Sequence, residues 1–322
     1  MALKIWQRLQ CGTAVAVLAT AATVAHAAQL SGDARASIPK DVQQIIVVDY
    51  KAMQGSNTAM QLKDRVLPPE LKRLEVALKN SGLKVDQDCE ILAFAAFRSG
   101  GASSSGSRII GVAQGQFQTA SILAKFAKDK TKPSPVRNTD VWPMGSAGMS
   151  VAFLNQTTMI FGDREAVKAA LDARDGLAQN FLQNPEMMDQ MASVDSRPVW
   201  SLLDQKGTQT MMKSVLGEAA QLADYNTVQT RMKSARYTMD FANGVKFNMT
   251  VVLSDSMTAA TAATLMKGVM ILKKSGGSPM EKSALDDTKV DSTGGALTVD
   301  YSSSDGQFAT LLSSPLFQQV VK

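Results

Sequence analysis

Two stretches of this chain repeat one another, and the order of elements after each repeats as well. "IIVVDYKAMQ", Ile45 to Gln54, lies on "WSLLDQKGTQ", Trp200 to Gln209. Both are apolar runs closing on D-x-K-x-x-Q, so Asp49, Lys51 and Gln54 answer Asp204, Lys206 and Gln209. After the first copy, "LPPELKRLEVALKNSG" sets prolines early, spaces Leu71, Leu74 and Leu78 on one helical face and stops at Gly82. "CEILAFAAF" and "RIIGVAQGQF" then read as strands joined by the Gly/Ser-rich tip "SGGASSSGS", with a helix in "QTASILAKFAKD". The second copy repeats this order: a helical stretch after Gln209, the strands "RYTMDF" and "VKFNMTVVL" around Ala242-Asn243-Gly244, and a helix capped by Ser254 or Asp255.

Each half therefore reads β-α-β-β-α and runs on into further strands. "DVWPM", "MSVAFL" and "TTMIFG" continue the first; "TKVD" and "ALTVDYS" continue the second. The expected fold is α+β: two tandem ferredoxin-like β-α-β-β-α-β units with antiparallel sheets and helices on one face. The units span residues 38–196 and 197–322, after a linker at 28–37. In the first, Asp163 is expected to cap a helix in "REAVKAALDA", and another starts at Asn184-Pro185.

Strand patterning sharpens the packing. Tyr237, Met239 and Phe241 alternate with Arg236, Thr238 and Asp240, and Phe247, Met249 and Val251 with Lys246, Asn248 and Thr250. That is one covered face and one wet face. "ILAFAAF" is apolar on both faces, so something must cover the second face of the first sheet. The expected core holds Ile46, Val48, Phe94, Ile110 and Phe126 in the first unit. Leu202, Tyr237, Phe247, Met249 and Leu265 are its counterpart in the second.

The first 27 residues carry a destination. Lys4 and Arg8 precede an uncharged apolar run from Cys11 to Val24, and Ala25-His26-Ala27 makes an A-x-A cleavage site. This is a secretory signal pattern, and fourteen apolar residues fall short of the roughly 20 that span a bilayer. The expected product is periplasmic or extracellular, begins at Ala28 and keeps no stable membrane anchor. Cleavage also removes His26, the one histidine, and Cys11, leaving Cys89 as the one thiol.

Without histidine, Ser-His-Asp and Cys-His mechanisms are excluded from the mature chain, and zinc sites lose their usual ligands. No phosphate-binding glycine loop is present. Ser81 and Lys84 fit S-x-x-K, yet the companion S-D-N and K-T-G motifs are missing. Asp86, Asp88 and Glu90 would point one way from an extended segment but lack the glycine of a calcium loop. Met187, Met188 and Met191 sit at helical spacing, which suits core packing better than copper(I). The net charge of +5 falls to +3 without Lys4 and Arg8, and no basic stripe interleaved with aromatics invites nucleic acid. No cofactor is expected.

With its layout and the F-G-D before a helix in "TTMIFGDREAVKAALDA", the chain resembles exported bacterial proteins of unknown function built from tandem ferredoxin-like repeats. That resemblance implies a fold and a compartment, and no catalytic residues. The expected function is an exported non-catalytic binding or scaffold protein for a protein or small-molecule ligand. The alternatives are a hydrolase using carboxylates or a Ser-Lys pair, and a methionine-based copper carrier. The candidate site is the polar set Asp49, Lys51, Gln54, Asp204, Lys206 and Gln209, meeting between the two units.

Overall fold

A computed structural model describes residues 28–67, 69–98, 106–144, 148–221, 223–314 and 317. The signal segment with His26, and the hairpin tip expected at Gly100–Ser107 up to residue 105, lie outside the described residues. The first half comprises α1 (Gly32–Ala36), β1 (Val42–Asp49), α2 (Tyr50–Gln54), α3 (Asn57–Val66), α4 (Pro69–Asn80) and α5 (Val85–Asp88). It continues through β2 (Cys89–Arg98), β3 (Ser107–Gly115), α6 (Thr119–Lys128), β4 (Ser134–Val136), β5 (Thr139–Met144), β6 (Met149–Phe153) and β7 (Thr158–Asp163). α7 (Arg164–Arg174) and α8 (Pro185–Ala192) close it, capped by Asp163 and Asn184 as their sequences require.

The second half runs β8 (Val199–Leu203), α9 (Gln205–Leu216), α10 (Ala223–Thr230), β9 (Met232–Asp240) and β10 (Val245–Leu253). α11 (Ser256–Gly276), α12 (Pro279–Asp286), β11 (Thr288–Thr293), β12 (Ala296–Ser303) and α13 (Asp305–Leu311) follow. The fold is α+β. The twelve strands of the described residues form one sheet in the order β11-β12-β10-β9-β8-β1-β2-β3-β7-β6-β5-β4. Outward from the β8–β1 seam the two halves read alike. β1-β2-β3-β7-β6 on one side matches β8-β9-β10-β12-β11 on the other.

That order departs from the expected ferredoxin-like unit. A split β-α-β places the strands flanking a helix parallel, with another strand between them. Here β1 pairs directly and antiparallel with β2, and β8 with β9. The physical reason is the number of helices in each excursion. One helix crosses the sheet and delivers the chain at its far end, whereas an out-and-back pair returns it to the end it left. Between β1 and β2 the chain passes α2 to α5; between β8 and β9 it passes α9 and α10, broken at Gly217 with φ +55°.

The repeated D-x-K-x-x-Q builds this return in both halves. Asp49 caps α2 by accepting from the Ala52 amide at 2.7 Å, and Asp204 caps α9 through the Gly207 amide at 2.7 Å. Gln54 then donates to the Asp86 carbonyl at 3.0 Å, and Gln209 to the Gln229 carbonyl at 2.9 Å. Asp86 and Gln229 each sit just before the next strand. Aspartate starts the excursion and glutamine pins its end.

Helices do not keep to one face as expected. In the first half Ile45 and Val47 of β1 join Ala93, Ala95, Ile110 and Ile160 in a core closed by α1, α7 and α8. Met187 and Met191 belong to it, 2% and 6% exposed, with Met188 packed against it. The stretch 28–37, expected as a linker, is part of that core. Ala28, Ala34 and Ser37 are fully buried, and the Trp200 indole donates to the Ala28 carbonyl at 2.9 Å. On the opposite face α4 and α6 pack on the first half and α9, α10 and α11 on the second. The second half's outer face is wet, with Lys246 and Asp300 exposed and Asn248 donating to Asp300 at 2.7 Å. The Ala242-Asn243-Gly244 turn needs its glycine: φ is +79° and a Cβ would stand 2.3 Å from the Ser303 carbonyl oxygen.

Candidate functional site

The structure separates the six polar residues proposed as a site between units. β1 and β8 pair antiparallel from Gln44↔Leu203 to Val48↔Val199. Asp49 therefore ends one side of the seam and Asp204 the other, about 20 Å apart at roughly 3.4 Å per residue. Asp204 pairs with Arg98, Lys51 reaches Glu90 at 3.9 Å, and Lys206 is exposed. These residues shape the fold and do not converge.

The other sequence candidates are likewise committed elsewhere. The Ser81 hydroxyl donates to the Ala77 carbonyl at 2.9 Å, closing α4. Asp86 and Asp88 lie on the short helix α5 and so do not share one side of an extended segment. Asp86 accepts from the Tyr50 hydroxyl at 2.7 Å, and Asp88 from the Lys84 amide at 2.9 Å. Among the described residues no three His, Cys, Asp or Glu side chains are placed to hold a metal ion. No described helix is long and apolar enough to cross a membrane.

What the structure offers instead is a cavity of about 830 Å³ between the inner face of the sheet and its helical cover. Its floor crosses nine strands, from Thr288 on β11 and Tyr301 on β12, through Phe247, Tyr237, Val199, Ile46 and Phe94, to Phe161 on β7. Eight spacings of about 4.8 Å make that floor about 38 Å wide. The roof comes from α2, α3 and α4 on one side and from α12, α13 and Phe317 on the other. Val66 and Ile109, 43% and 51% exposed, stand at its rim.

Burial tells the same story. Of the ten residues expected in the core, Ile110, Phe126, Leu202 and Met249 are buried. Ile46, Val48, Phe94, Tyr237 and Phe247 are only half-buried, and all five line the cavity. Leu265 is also half-buried, on α11. Alternation in the second half correctly placed Tyr237 and Phe247 on the inner face. Period-two patterning does not show that the helices opposite stand off the sheet.

The size of this space sets its meaning. Its volume falls within the roughly 300–1,000 Å³ of small-molecule sites. Its lining follows the floor from strand to strand, a long apolar cleft beneath the helices.

Its chemistry is almost wholly apolar. Lys63 and Glu75 are the charged lining residues, 3.5 Å apart in the roof. Glu75 also meets Lys79 at 2.9 Å, and the Lys63 ammonium stands 5.5 Å from the Tyr50 ring centroid. Burial, and then the hydrogen bond to Asp86, raise the Tyr50 phenol, so it stays protonated at ordinary pH. This network ties α2 to α5 together and neutralises its own charges. Cys89 also lines the cavity, and burial pushes its thiol up to about 12, which leaves it unreactive near neutrality. Among the described residues, Glu75 is the one carboxylate in the lining.

No family model and no curated protein matches the sequence. Two solved structures share the fold at low identity. TP0453 in crystal form III aligns at TM-score 0.52 with 12% identity, over 87% of this chain and 97% of that one. TP0453 in crystal form I aligns at TM-score 0.50 with 9% identity, over 87% and 96%. At such identity the likeness establishes a common architecture for most of this chain.

Proposed function

We propose that this is an exported, non-catalytic binding protein that holds an elongated apolar molecule between its sheet and its helical cover. The observation carrying the reading is the 830 Å³ apolar cavity, floored by inward-facing side chains of both halves. Export rests on the basic start, the apolar run and the A-x-A site of the first 27 residues. The two halves, divided near Ser196, act as one device. Each contributes part of the floor and part of the roof, so neither encloses the ligand alone.

Intact-mass measurement on protein recovered from the periplasmic fraction tests both parts. Under denaturing conditions the mass should be that of a chain beginning at Ala28. Under native conditions it should carry one or more additional small apolar molecules, extractable into organic solvent. A full-length mass confined to the cytoplasm would refute export. A native mass equal to the bare chain, with no uptake of an added apolar fluorophore, would refute the binding role.

A further inference from the structure

Charge is distributed unevenly along the cavity. Its two charged lining residues, Lys63 on α3 and Glu75 on α4, both belong to the roof of the first half. The second half lines it with uncharged side chains, among which Tyr237, Thr288 and Tyr301 carry hydroxyls. The space is thus charged on one side of the seam and uncharged on the other, the polarity of a chain with one headgroup.

The surroundings of the Lys63 ammonium place it at the cavity wall. Its neighbours, Glu75 at 3.5 Å and the Tyr50 ring at 5.5 Å to the centroid, are themselves lining residues. The side chains of Lys63 and Glu75 are 16% and 22% exposed. Lys79 and Asp86, the outer members of the same network at 43% and 59%, do not line the cavity. Val66 lies one turn further along the same face of α3 and stands at the rim, which puts Lys63 close to the mouth.

Lys63 is also the member the network can release. Glu75 keeps Lys79 at 2.9 Å, Asp86 keeps the Tyr50 hydroxyl at 2.7 Å, and Asp64, 3.9 Å from Lys63, is largely in water. The ammonium itself stands 3.5 Å and 3.9 Å from its carboxylates, beyond the roughly 2.7–2.9 Å of a charge-assisted hydrogen bond. A ligand carboxylate can take its donors and strand no anion of the protein. A cationic head would need Glu75, which two lysines already hold.

Resting on the cavity reading, we propose that the bound molecule is a long-chain carboxylic acid, its carboxylate held by the Lys63 ammonium near the mouth. Its hydrocarbon chain lies along the floor and crosses the seam into the uncharged second half.

Displacement of N-phenyl-1-naphthylamine from the mature protein at neutral pH tests this, with competitors of matched chain delivered from cyclodextrin. These are stearic acid, its methyl ester, and octadecylamine. Stearic acid should bind tightest of the three. Lys63→Met keeps the apolar stem and should weaken stearic acid about 10- to 100-fold, the worth of a hydrogen bond to a charged group. Affinity for the methyl ester should stay unchanged, which also shows that the variant is folded. Lys246→Met, on the wet outer face, makes the same change in net charge and should leave stearic acid binding intact. In the unaltered protein, an ester or amine that matches or exceeds the acid overturns the inference, whatever the variants do. So does an acid affinity that survives Lys63→Met or falls equally with Lys246→Met. If the fluorophore does not bind, or none of the three displaces it, the cavity reading itself fails.

Discussion

Trp200→Ala is expected to destabilise the protein by about 3–5 kcal/mol, the usual cost of truncating a large buried aromatic. Trp200 is fully buried on β8, and its indole nitrogen holds the Ala28 carbonyl at 2.9 Å. The substitution also leaves that carbonyl without its partner, adding about 1 kcal/mol. The tryptophan fastens the N-terminal segment to the outer face of the sheet, so Leu30 and Ala34 should loosen with it. A chemical denaturation series compares the unfolding midpoints. Trp142→Ala, at a half-buried position on β5, serves as the milder control. A loss under about 1 kcal/mol for Trp200→Ala would show that the segment 28–37 is not packed as described.

Val199→Trp should cut affinity for long apolar molecules at least 100-fold while sparing the fold. Val199 lies in the floor at the seam, opposite Val48 on β1 and Met239 on β9. An indole there projects into the cavity at the seam and obstructs it between the two halves. Each buried CH₂ is worth about 0.8 kcal/mol, so excluding only four from a bound chain costs about 3 kcal/mol, roughly 200-fold. Val199 is itself buried beside Met53 and Phe241, so the larger ring costs about 1–3 kcal/mol of overpacking, and the melting curve should still show one folded state. Fluorophore titration beside a melting curve reads both. Unchanged affinity in a folded Val199→Trp protein would place the ligand elsewhere.

Much of this architecture is legible in the residues. Capping aspartates, the Asn-Gly turn and the strict alternation after Arg236 each encode one local geometry, and local geometry is what short patterns report. The two-sided apolar run "ILAFAAF" announced cover on both faces, which α1, α7 and α8 supply on one and α4 and α6 on the other. Strand order was hidden, because it depends on whether helices cross the sheet or turn back, and helical periodicity is the same in both cases. α2 and α3 went unread for a related reason. Their apolar residues, Met53 and Leu62 among them, join a small cluster with Val199, Phe241 and Phe308 beside the cavity, too few to set a clear helical period. Lys63 and Glu75 come from two different helices, so no spacing rule could join them. The matched Asp and Gln were a true signal with a structural meaning: they fold each excursion back on itself.

The seam between β8 and β1 carries one more implication. Take either half alone and this strand becomes a bare sheet edge, with Ile45, Val47, Trp200 or Leu202 beside unpaired backbone groups. Such edges recruit other strands. Since the halves are laid out alike about the seam, the natural partner for an isolated half is a second copy of itself, meeting edge to edge about a twofold axis. A covalent link between the halves turns that concentration-dependent meeting into an intramolecular one. It also frees the two sides of the cavity to diverge, so that one end of a bound molecule can be read differently from the other.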